Sequence, residues 1–298
     1  MAHDTASAAR TAVAPQLDLD AYLARISWSG ERRADADTLR SLHRAHLRGI
    51  PFENVQALLG SAPSLALPDL EAKLVRGRRG GYCFEHNTLF AAVLEAFGFG
   101  VTRLAARVRV GGGSAIRPRT HMLLLVEVAG EDGGSYLADV GFGAVGGLYE
   151  AIPLVPETEA RDGVRRHRLL REPHHGLEDL WVLQAFQDGE WADQYAFNRE
   201  PYEPADFEVI NWHIATNPRS PFSHTLYAQR TTAETHLALS GRTLVETYAD
   251  GTREERSLAE EPGGAVDTEE AIRLLSEEFG IELPPGTRLP AARRTSGS

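Results

Sequence analysis

Residues 79–87 read Arg-Gly-Gly-Tyr-Cys-Phe-Glu-His-Asn, and they contain the only cysteine of the 298-residue chain. Apolar residues recur at helical spacing from this cysteine to Phe97, and Gly98 follows as a helix-ending residue. The pattern predicts a helix over residues 83–97. The free N–H groups and partial positive charge of a helix N-terminus favour a thiolate over a thiol. The stretch therefore indicates either a nucleophilic Cys83 or a buried structural cysteine, since a lone cysteine is commonly buried.

The chain before this helix is predicted to be helical, and the chain after it is rich in strands. Helical spacing of apolar residues predicts three earlier helices, around residues 19–26, 37–47 and 67–76. Alternating side chains predict strands at residues 101–110, 121–128, 136–140, 164–171, 179–187 and 190–197. The remainder mixes a helix near 204–213, strands near 225–231 and 241–249, and a last helix over 268–279. This order indicates an α+β fold whose central part is an antiparallel sheet or small barrel.

Composition excludes several classes of protein. The formal net charge is −11, which argues against general nucleic-acid binding and requires a local basic patch for any anionic ligand. A single cysteine allows no internal disulfide and no zinc site built on a CxxC pair, which suits a reducing, cytoplasmic location. No apolar run of membrane-spanning length is present, so no membrane association is expected. Residues 1–16 and 291–298 are expected to be disordered.

A cysteine nucleophile needs a base, and the base needs an orienting acceptor. His121 begins a predicted strand, and Asp139 lies within an apolar stretch, where an unpaired carboxylate is costly. A turn over residues 129–134 brings these two residues near each other, although the pattern leaves the strand register open. From the residues alone, a catalytic pair and a structural His–Asp pair are about equally good interpretations.

The cysteine stretch resembles the RGGxCxExN signature of the arylamine N-acetyltransferases. Four further segments resemble segments of that family, at residues 50–54 (Ile-Pro-Phe-Glu-Asn), 120–121 (Thr-His), 139–143 (Asp-Val-Gly-Phe-Gly) and 211–222. Cysteine, histidine and aspartate also occur in the family's order. The similarity extends over about residues 17–285, which is nearly the whole chain, and it strongly favours the catalytic interpretation of Cys83.

The resemblance implies a three-part architecture with a cysteine triad arranged as in papain-like enzymes. A helical bundle over residues 17–100 carries the cysteine, a β-barrel over residues 101–203 carries the histidine and aspartate, and an α/β lid spans residues 204–290. It also implies a ping-pong acyltransferase that moves an acetyl group from acetyl-CoA to an arylamine, arylhydrazine or similar amine through an acyl-cysteine. No metal is implied, the partners are the small amine and the CoA thioester, and the oligomeric state is left open.

The same resemblance assigns roles to individual residues. The expected catalytic residues are Cys83 as nucleophile, His121 as base and Asp139 as the group that orients the imidazole. The expected walls of the acceptor pocket are Phe52, Phe142 and Phe222, and the expected CoA contacts are Thr120 and Gly143. Arg79 and Glu85 are expected either to pair and hold the cysteine loop or to be ordinary solvated charges.

Two questions stay open at the level of sequence. The first is the reaction, because related enzymes act as amide synthases on carrier-bound acyl chains and a cysteine hydrolase uses a similar triad. The second is which arginines meet CoA phosphates. The candidates are Arg103, Arg107, Arg109, Arg117 and Arg119, which flank a predicted glycine loop at residues 111–113, and Arg165, Arg166 and Arg168, which suit a solvated strand edge better.

Overall fold

The computed structural model describes residues 17–112, 116–130, 133–163, 165–176, 178–258 and 268–290. Seven α-helices run through these residues: α1 (Leu19–Arg25), α2 (Ala36–Gly49), α3 (Val55–Leu58), α4 (Leu67–Leu70), α5 (Cys83–Phe97), α6 (Pro204–Thr216) and α7 (Thr268–Glu277). Their strands are β1 (Phe52–Glu53), β2 (Gly100–Val108), β3 (His121–Val128), β4 (Gly134–Ala138), β5 (Ile152–Pro153), β6 (Glu159–Asp162), β7 (Arg165–Glu172), β8 (Leu180–Gln187), β9 (Glu190–Phe197), β10 (Tyr227–Thr231), β11 (Thr235–Ser240), β12 (Thr243–Tyr248) and β13 (Arg253–Ser257). The α+β class is confirmed. The expected disorder of the two termini, and Gly113 of the glycine loop, lie outside the described residues.

Helix α5 is the central element of the N-terminal part. It is apolar around most of its circumference, and such a helix must be covered on all sides. Phe84, Leu89 and Phe90 are accordingly fully buried among the surrounding helices and the first strands of the sheet. The helix ends at Gly98, which has a left-handed backbone conformation with φ of 93°. Its bounds agree with the prediction for residues 83–97.

The predicted helix over residues 67–76 is wound in two ways. It begins as α4 and continues as a π-helix over Glu71–Arg76. Lys73 lies in the π-helical part, and its Nζ donates to Glu85 Oε1 at 2.6 Å and to Gln56 Oε1 at 3.2 Å. This segment thereby connects α3 to the first turn of α5.

Eight antiparallel strands form the large sheet, in the order β5-β4-β3-β2-β9-β8-β7-β6. Its strands curl around a core of apolar side chains: Leu104, Leu123, Leu137, Leu183, Tyr195 and Phe197. In the pairing of β3 with β4, Leu124 lies opposite Ala138. This register, which the sequence pattern left open, places the residue after β4 close to the start of β3, so that Asp139 and His121 meet.

A second sheet has five antiparallel strands in the order β1-β10-β11-β12-β13. Strand β1 comes from the N-terminal part, and its Phe52 pairs with Gln229 of β10. The predicted strands near 225–231 and 241–249 are present as β10 and β12, whereas β11 and β13 were not predicted. Within the part of the chain that the structure describes, no helix is long and apolar enough to cross a membrane.

Candidate active site

Cys83 is the first residue of α5, and its side chain is almost fully buried. Its Sγ lies 4.0 Å from the carbonyl oxygen of Thr120, the residue before β3. Gly141 approaches from the other side. A Cβ at residue 141 would lie 2.7 Å from Cys83 Cα, closer than real side chains allow, so only glycine fits there. The main chain of the sheet therefore lies directly against the nucleophile at two points, Thr120 and Gly141.

His121 is the first residue of β3, and its Nε2 donates to Asp139 Oδ2 at 2.6 Å. The other ring nitrogen, Nδ1, remains for Cys83, which also contributes to raising the pKa of the imidazole. Burial alone would lower the pKa of His121, but the charge and hydrogen bond of Asp139 outweigh it and raise that pKa to about 10. At neutral pH the pair is an imidazolium facing a carboxylate.

Asp139 is buried, which by itself would raise its pKa. The charge of His121 and three hydrogen bonds to the carboxylate lower that pKa instead. Besides His121, the donors are Asn87 Nδ2 and the Gly141 main-chain N–H, each 3.0 Å from Oδ1. The carboxylate is therefore held ionised, and its Oδ2 accepts the hydrogen bond from the imidazole while Oδ1 accepts the other two.

Asn87 lies one turn after Cys83 on α5 and ties this helix to the sheet. Besides its bond to Asp139, its Nδ2 donates to the Met122 carbonyl oxygen at 2.7 Å, and its Oδ1 accepts from the Val140 N–H at 3.2 Å. Asn87 thus fixes Asp139 relative to the helix that carries Cys83. The sequence signal for Asn87 was its place in the cysteine stretch, but no role followed from it.

His43 of α2 supports Asp139 from the main-chain side. Its Nε2 accepts from the Asp139 N–H at 3.1 Å, so its Nδ1 carries the proton and donates to the Tyr149 carbonyl oxygen at 3.1 Å. Burial lowers the pKa of His43 to about 4, so that it stays neutral. His43 lies within the helix predicted around residues 37–47, but nothing in the sequence connects it to the site.

A cleft of about 540 Å³ opens over Cys83 and His121. Phe52, Phe142 and Phe222 all line it, as does Thr120. The Phe142 ring lies edge-on to the His121 ring, with 5.1 Å between centroids, and Phe52 and Phe222 are 6.2 Å apart. Six of the site residues expected from the sequence therefore line one cavity, whereas Asp139 is buried behind His121 and Gly143 lies as described next.

Gly143 lies behind the cleft wall rather than in its lining. Its φ is 63°, and a Cβ there would lie 2.6 Å from the Phe52 ring. The position therefore demands glycine because of its backbone conformation and its contact with Phe52. The expectation that Gly143 touches CoA stays a prediction.

The expected pairing of Arg79 with Glu85 is wrong. Arg79 binds Glu53 of β1, with its Nε 2.9 Å and its Nη2 2.5 Å from Oε1. Glu85 instead folds back onto the start of its own helix, where Oε2 accepts from the Tyr82 N–H at 3.1 Å, and its Oε1 takes the Lys73 ammonium. Glu53 thus connects the cysteine loop to β1 through Arg79, and Glu85 connects it to the π-helix through Lys73.

Among the described residues, the arginines around the glycine loop separate into those that pair with carboxylates and those that donate to carbonyl oxygens. Three of them meet carboxylates: Arg103 binds Glu95, Arg109 binds Glu172 and Asp193, and Arg119 binds Glu200. In contrast, the Arg107 guanidinium donates to the Arg117 carbonyl oxygen, and that of Arg117 donates to the carbonyl oxygens of Val110 and Gly112. Carbonyl oxygens leave the full positive charge in place. Arg117 lines the cleft, together with Arg219 from the segment after α6.

The second arginine cluster lies on β7, away from the cleft lining. Arg165 donates to main-chain carbonyls near residue 232, Arg166 binds the Glu159 carboxylate, and Arg168 stacks on Trp191. The expected solvated strand edge is wrong, because β7 pairs with β6 on one side and β8 on the other, and all three arginines are partly buried.

Comparison with known proteins identifies the family. A family model described as N-acetyltransferase matches residues 35–287. An arylamine N-acetyltransferase of Mycobacterium bovis is 40% identical over 273 residues, which cover 90% of each chain. The chain belongs to the arylamine N-acetyltransferase family. The resemblance drawn from the cysteine stretch is thereby confirmed.

Solved structures of arylamine N-acetyltransferases share the fold. The enzyme of Nocardia farcinica superposes with a TM-score of 0.82 at 42% identity, covering 90% of this chain and 91% of the other. The enzyme of Mycobacterium marinum, solved in complex with CoA, gives a TM-score of 0.79 at 34% identity, covering 89% and 93%.

Proposed function

We propose that this protein transfers an acetyl group from acetyl-CoA to an arylamine or arylhydrazine through an acetyl-Cys83 intermediate. The observation that carries the proposal is the placement of Cys83 and His121 in a cleft walled by three phenylalanines, with Asp139 hydrogen-bonded to His121 from beneath. The names of the relatives support the acetyltransferase over the amide-synthase and hydrolase alternatives. The CoA complex of a relative supports CoA as the carrier of the acetyl group.

In the first half-reaction, Cys83 Sγ attacks the thioester carbonyl carbon as a thiolate beside the His121 imidazolium, and a new carbon–sulfur bond forms. The Cys83 N–H, in the first turn of α5, has no acceptor within its helix and is placed to stabilise the oxyanion of the tetrahedral intermediate. The bond to the CoA sulfur then breaks, and the imidazolium of His121 protonates the leaving thiolate. Acetyl-Cys83, neutral His121 and free CoA result.

In the second half-reaction, the amine nitrogen attacks the acetyl carbon of acetyl-Cys83. Neutral His121 takes the proton that the nitrogen loses, and Asp139 stabilises the imidazolium that forms. The bond to Sγ breaks, which returns the starting thiolate–imidazolium pair and releases the amide. Flat aromatic walls favour a flat acceptor, because rings pack edge-on or offset at the distances seen between these phenylalanines.

Intact-mass measurement with acetyl-CoA and no acceptor tests this proposal. We expect one added acetyl group, located on the peptide that contains Cys83 and removed by an arylamine. Since the chain has a single cysteine, any thioester must form at residue 83, and Cys83→Ser should gain no label. Acetylation of a lysine with Cys83 free would contradict the mechanism. Labelling by a carrier-bound thioester but not by acetyl-CoA would favour the amide synthase, and rapid loss of the label to water would favour the hydrolase.

Phosphate recognition by Arg117 and Arg219 gives a second prediction. Replacing both by glutamine should raise the KM for acetyl-CoA roughly tenfold, because the cleft then loses two guanidinium groups that pair with no carboxylate of the described residues, in a chain of net charge −11. The acetyl thioester of N-acetylcysteamine has no phosphates, and its kcat/KM should be unchanged. Arg103→Gln, which loses a guanidinium already paired with Glu95, is the control. An equal loss with both donors would show that these arginines act on the fold or the triad.

A further inference from the structure

Three buried side chains form a hydrogen-bonded chain beneath the cleft. The Tyr22 hydroxyl of α1 bonds to His46 Nδ1 of α2 at 2.8 Å, and His46 Nε2 bonds to His86 Nδ1 of α5 at 2.8 Å. His86 Nε2 then lies 3.2 Å from the carbonyl oxygen of Pro51. Each of the three side chains is at most 1% exposed, and the proposed chemistry uses none of them.

The directions of these hydrogen bonds follow from the last acceptor. The Pro51 carbonyl oxygen can only accept, so His86 Nε2 carries a proton and its Nδ1 is an acceptor. His46 must then donate from Nε2 and accept at Nδ1, where the Tyr22 hydroxyl donates. Burial lowers the pKa of His86 to about 4 and that of His46 well below its usual range, so that both rings are neutral, as this arrangement requires. Every donor in the chain meets one acceptor, which fixes both imidazole rings.

The chain ends at the residue that precedes Phe52. The His86 ring also lies parallel to the Phe52 ring, with an interplanar angle of 6° and 6.4 Å between centroids. The next residue along, Glu53, donates its N–H to the Gly81 carbonyl oxygen at 2.8 Å. Phe52 is thus positioned from behind by His86, while its other side faces the cleft and Phe222.

We propose that the Tyr22–His46–His86 chain positions Phe52 as a wall of the acceptor pocket, and so determines the binding of aromatic acceptors rather than the acylation of Cys83. The proposal rests on the proposed function. Leucine or phenylalanine would fill the same space without the cost of burying polar groups, but would make no directed bond to the Pro51 carbonyl. A shift of the wall by a fraction of an ångström alters ring contacts across the cleft, whereas Cys83, His121 and Asp139 are held by separate hydrogen bonds.

His46 is the residue to vary, since it bonds on both sides. In His46→Leu the acceptor nitrogen of His86 loses its donor, and the His86 ring is free to turn. In His46→Gln an amide donor can still reach His86 Nδ1. We expect His46→Leu to raise the KM for an aromatic amine about tenfold, and His46→Gln to restore most of that loss. In both variants, the rate at which acetyl-CoA labels Cys83 and the kcat/KM for a small non-aromatic hydrazine should stay within about twofold of the wild-type values. His236→Leu, which removes a buried histidine from β11, should leave all three quantities unchanged.

Each outcome decides the matter. A folded His46→Leu enzyme with an unchanged KM for the aromatic amine overturns the proposal. A loss of Cys83 labelling equal to the loss in amine binding also overturns it, because the hydrogen-bonded chain would then be supporting the catalytic triad. If His46→Leu does not fold, Tyr22→Phe removes only the terminal hydroxyl and should raise the same KM about threefold without affecting labelling, and an unchanged KM there overturns the proposal. Failure of the wild-type enzyme to label Cys83 at all would instead refute the proposed function.

Discussion

Replacing Asp139 by asparagine is expected to lower kcat/KM by about 10⁴-fold in a folded protein. Two N–H donors, from Asn87 and Gly141, converge on the Oδ1 side of the carboxylate. They would draw the amide oxygen of an asparagine to that side and turn its NH₂ group toward His121. Nε2 of His121 would then have to accept, which leaves the proton on Nδ1, where Cys83 needs an acceptor. The base is present in such a variant but carries its proton on the wrong nitrogen.

The measurement is kcat/KM with acetyl-CoA and an arylamine, together with the rate of Cys83 labelling. Asp37→Asn, on the solvent-exposed surface of α2, is the matched control and should behave as wild type. Circular dichroism and a melting curve must accompany the assay, because Asp139 also joins α5 to the sheet. Turnover near the wild-type rate in a folded Asp139→Asn protein would remove this residue from the proposed triad.

Replacing Lys73 by methionine is expected to reduce the free energy of unfolding by about 3–5 kcal/mol near neutral pH. The Lys73 ammonium is the cation that meets Glu85, whose side chain is 1% exposed, at the start of α5. Methionine has a similar length, so the space stays filled while the carboxylate loses its partner and still faces Glu53. The comparison is Arg76→Met on the same segment, which removes a solvent-exposed guanidinium paired with Asp18 and Glu71 and should cost at most about 1 kcal/mol.

The loss in Lys73→Met should depend on pH in a defined direction. Burial already raises the pKa of Glu85 above its ordinary value of 4.5, against the opposing effect of Lys73, and removing Lys73 raises it further. A carboxyl group whose folded-state pKa is raised favours folding at low pH, and that contribution is lost as pH rises through the folded-state pKa. The deficit relative to wild type, measured by denaturant unfolding, should therefore be smaller at about pH 5 than at about pH 8. A deficit that does not change over this range would show that Glu85 is not the group left unpaired.

Much of the fold follows from local patterns, and the exceptions have physical causes. The bounds of α5 are predictable because its apolar residues run without a break to Gly98. Strand β13 is not predictable, because all five of its residues are exposed and polar, so that no alternation marks it. The π-helix Glu71–Arg76 is not predictable either, because it has the composition of an ordinary α-helix and differs only in which carbonyl oxygen accepts each N–H.

Some features of the candidate site can likewise be predicted from the sequence, and others cannot. The need of Asp139 for a partner is visible in the sequence, because a carboxylate among apolar residues is costly. The choice between Glu53 and Glu85 as the partner of Arg79 is not visible, since both acids lie within reach and the approach of β1 to the cysteine loop decides it. The role of Asn87 escapes for a related reason: its three partners come from β3 and from the segment after β4, which only the folded chain brings together.

Because Gly141 brings the main chain after β4 against Cys83, the sulfur gains its base only when the large sheet has docked onto α5. During synthesis on the ribosome, residue 83 emerges before residues 121 and 139, so the nascent thiol has no imidazole beside it. Misfolded or truncated chains keep that unassisted thiol. Acylation of the single cysteine by a thioester therefore reports on completed folding, and it separates mature enzyme from incomplete chains in a crude mixture.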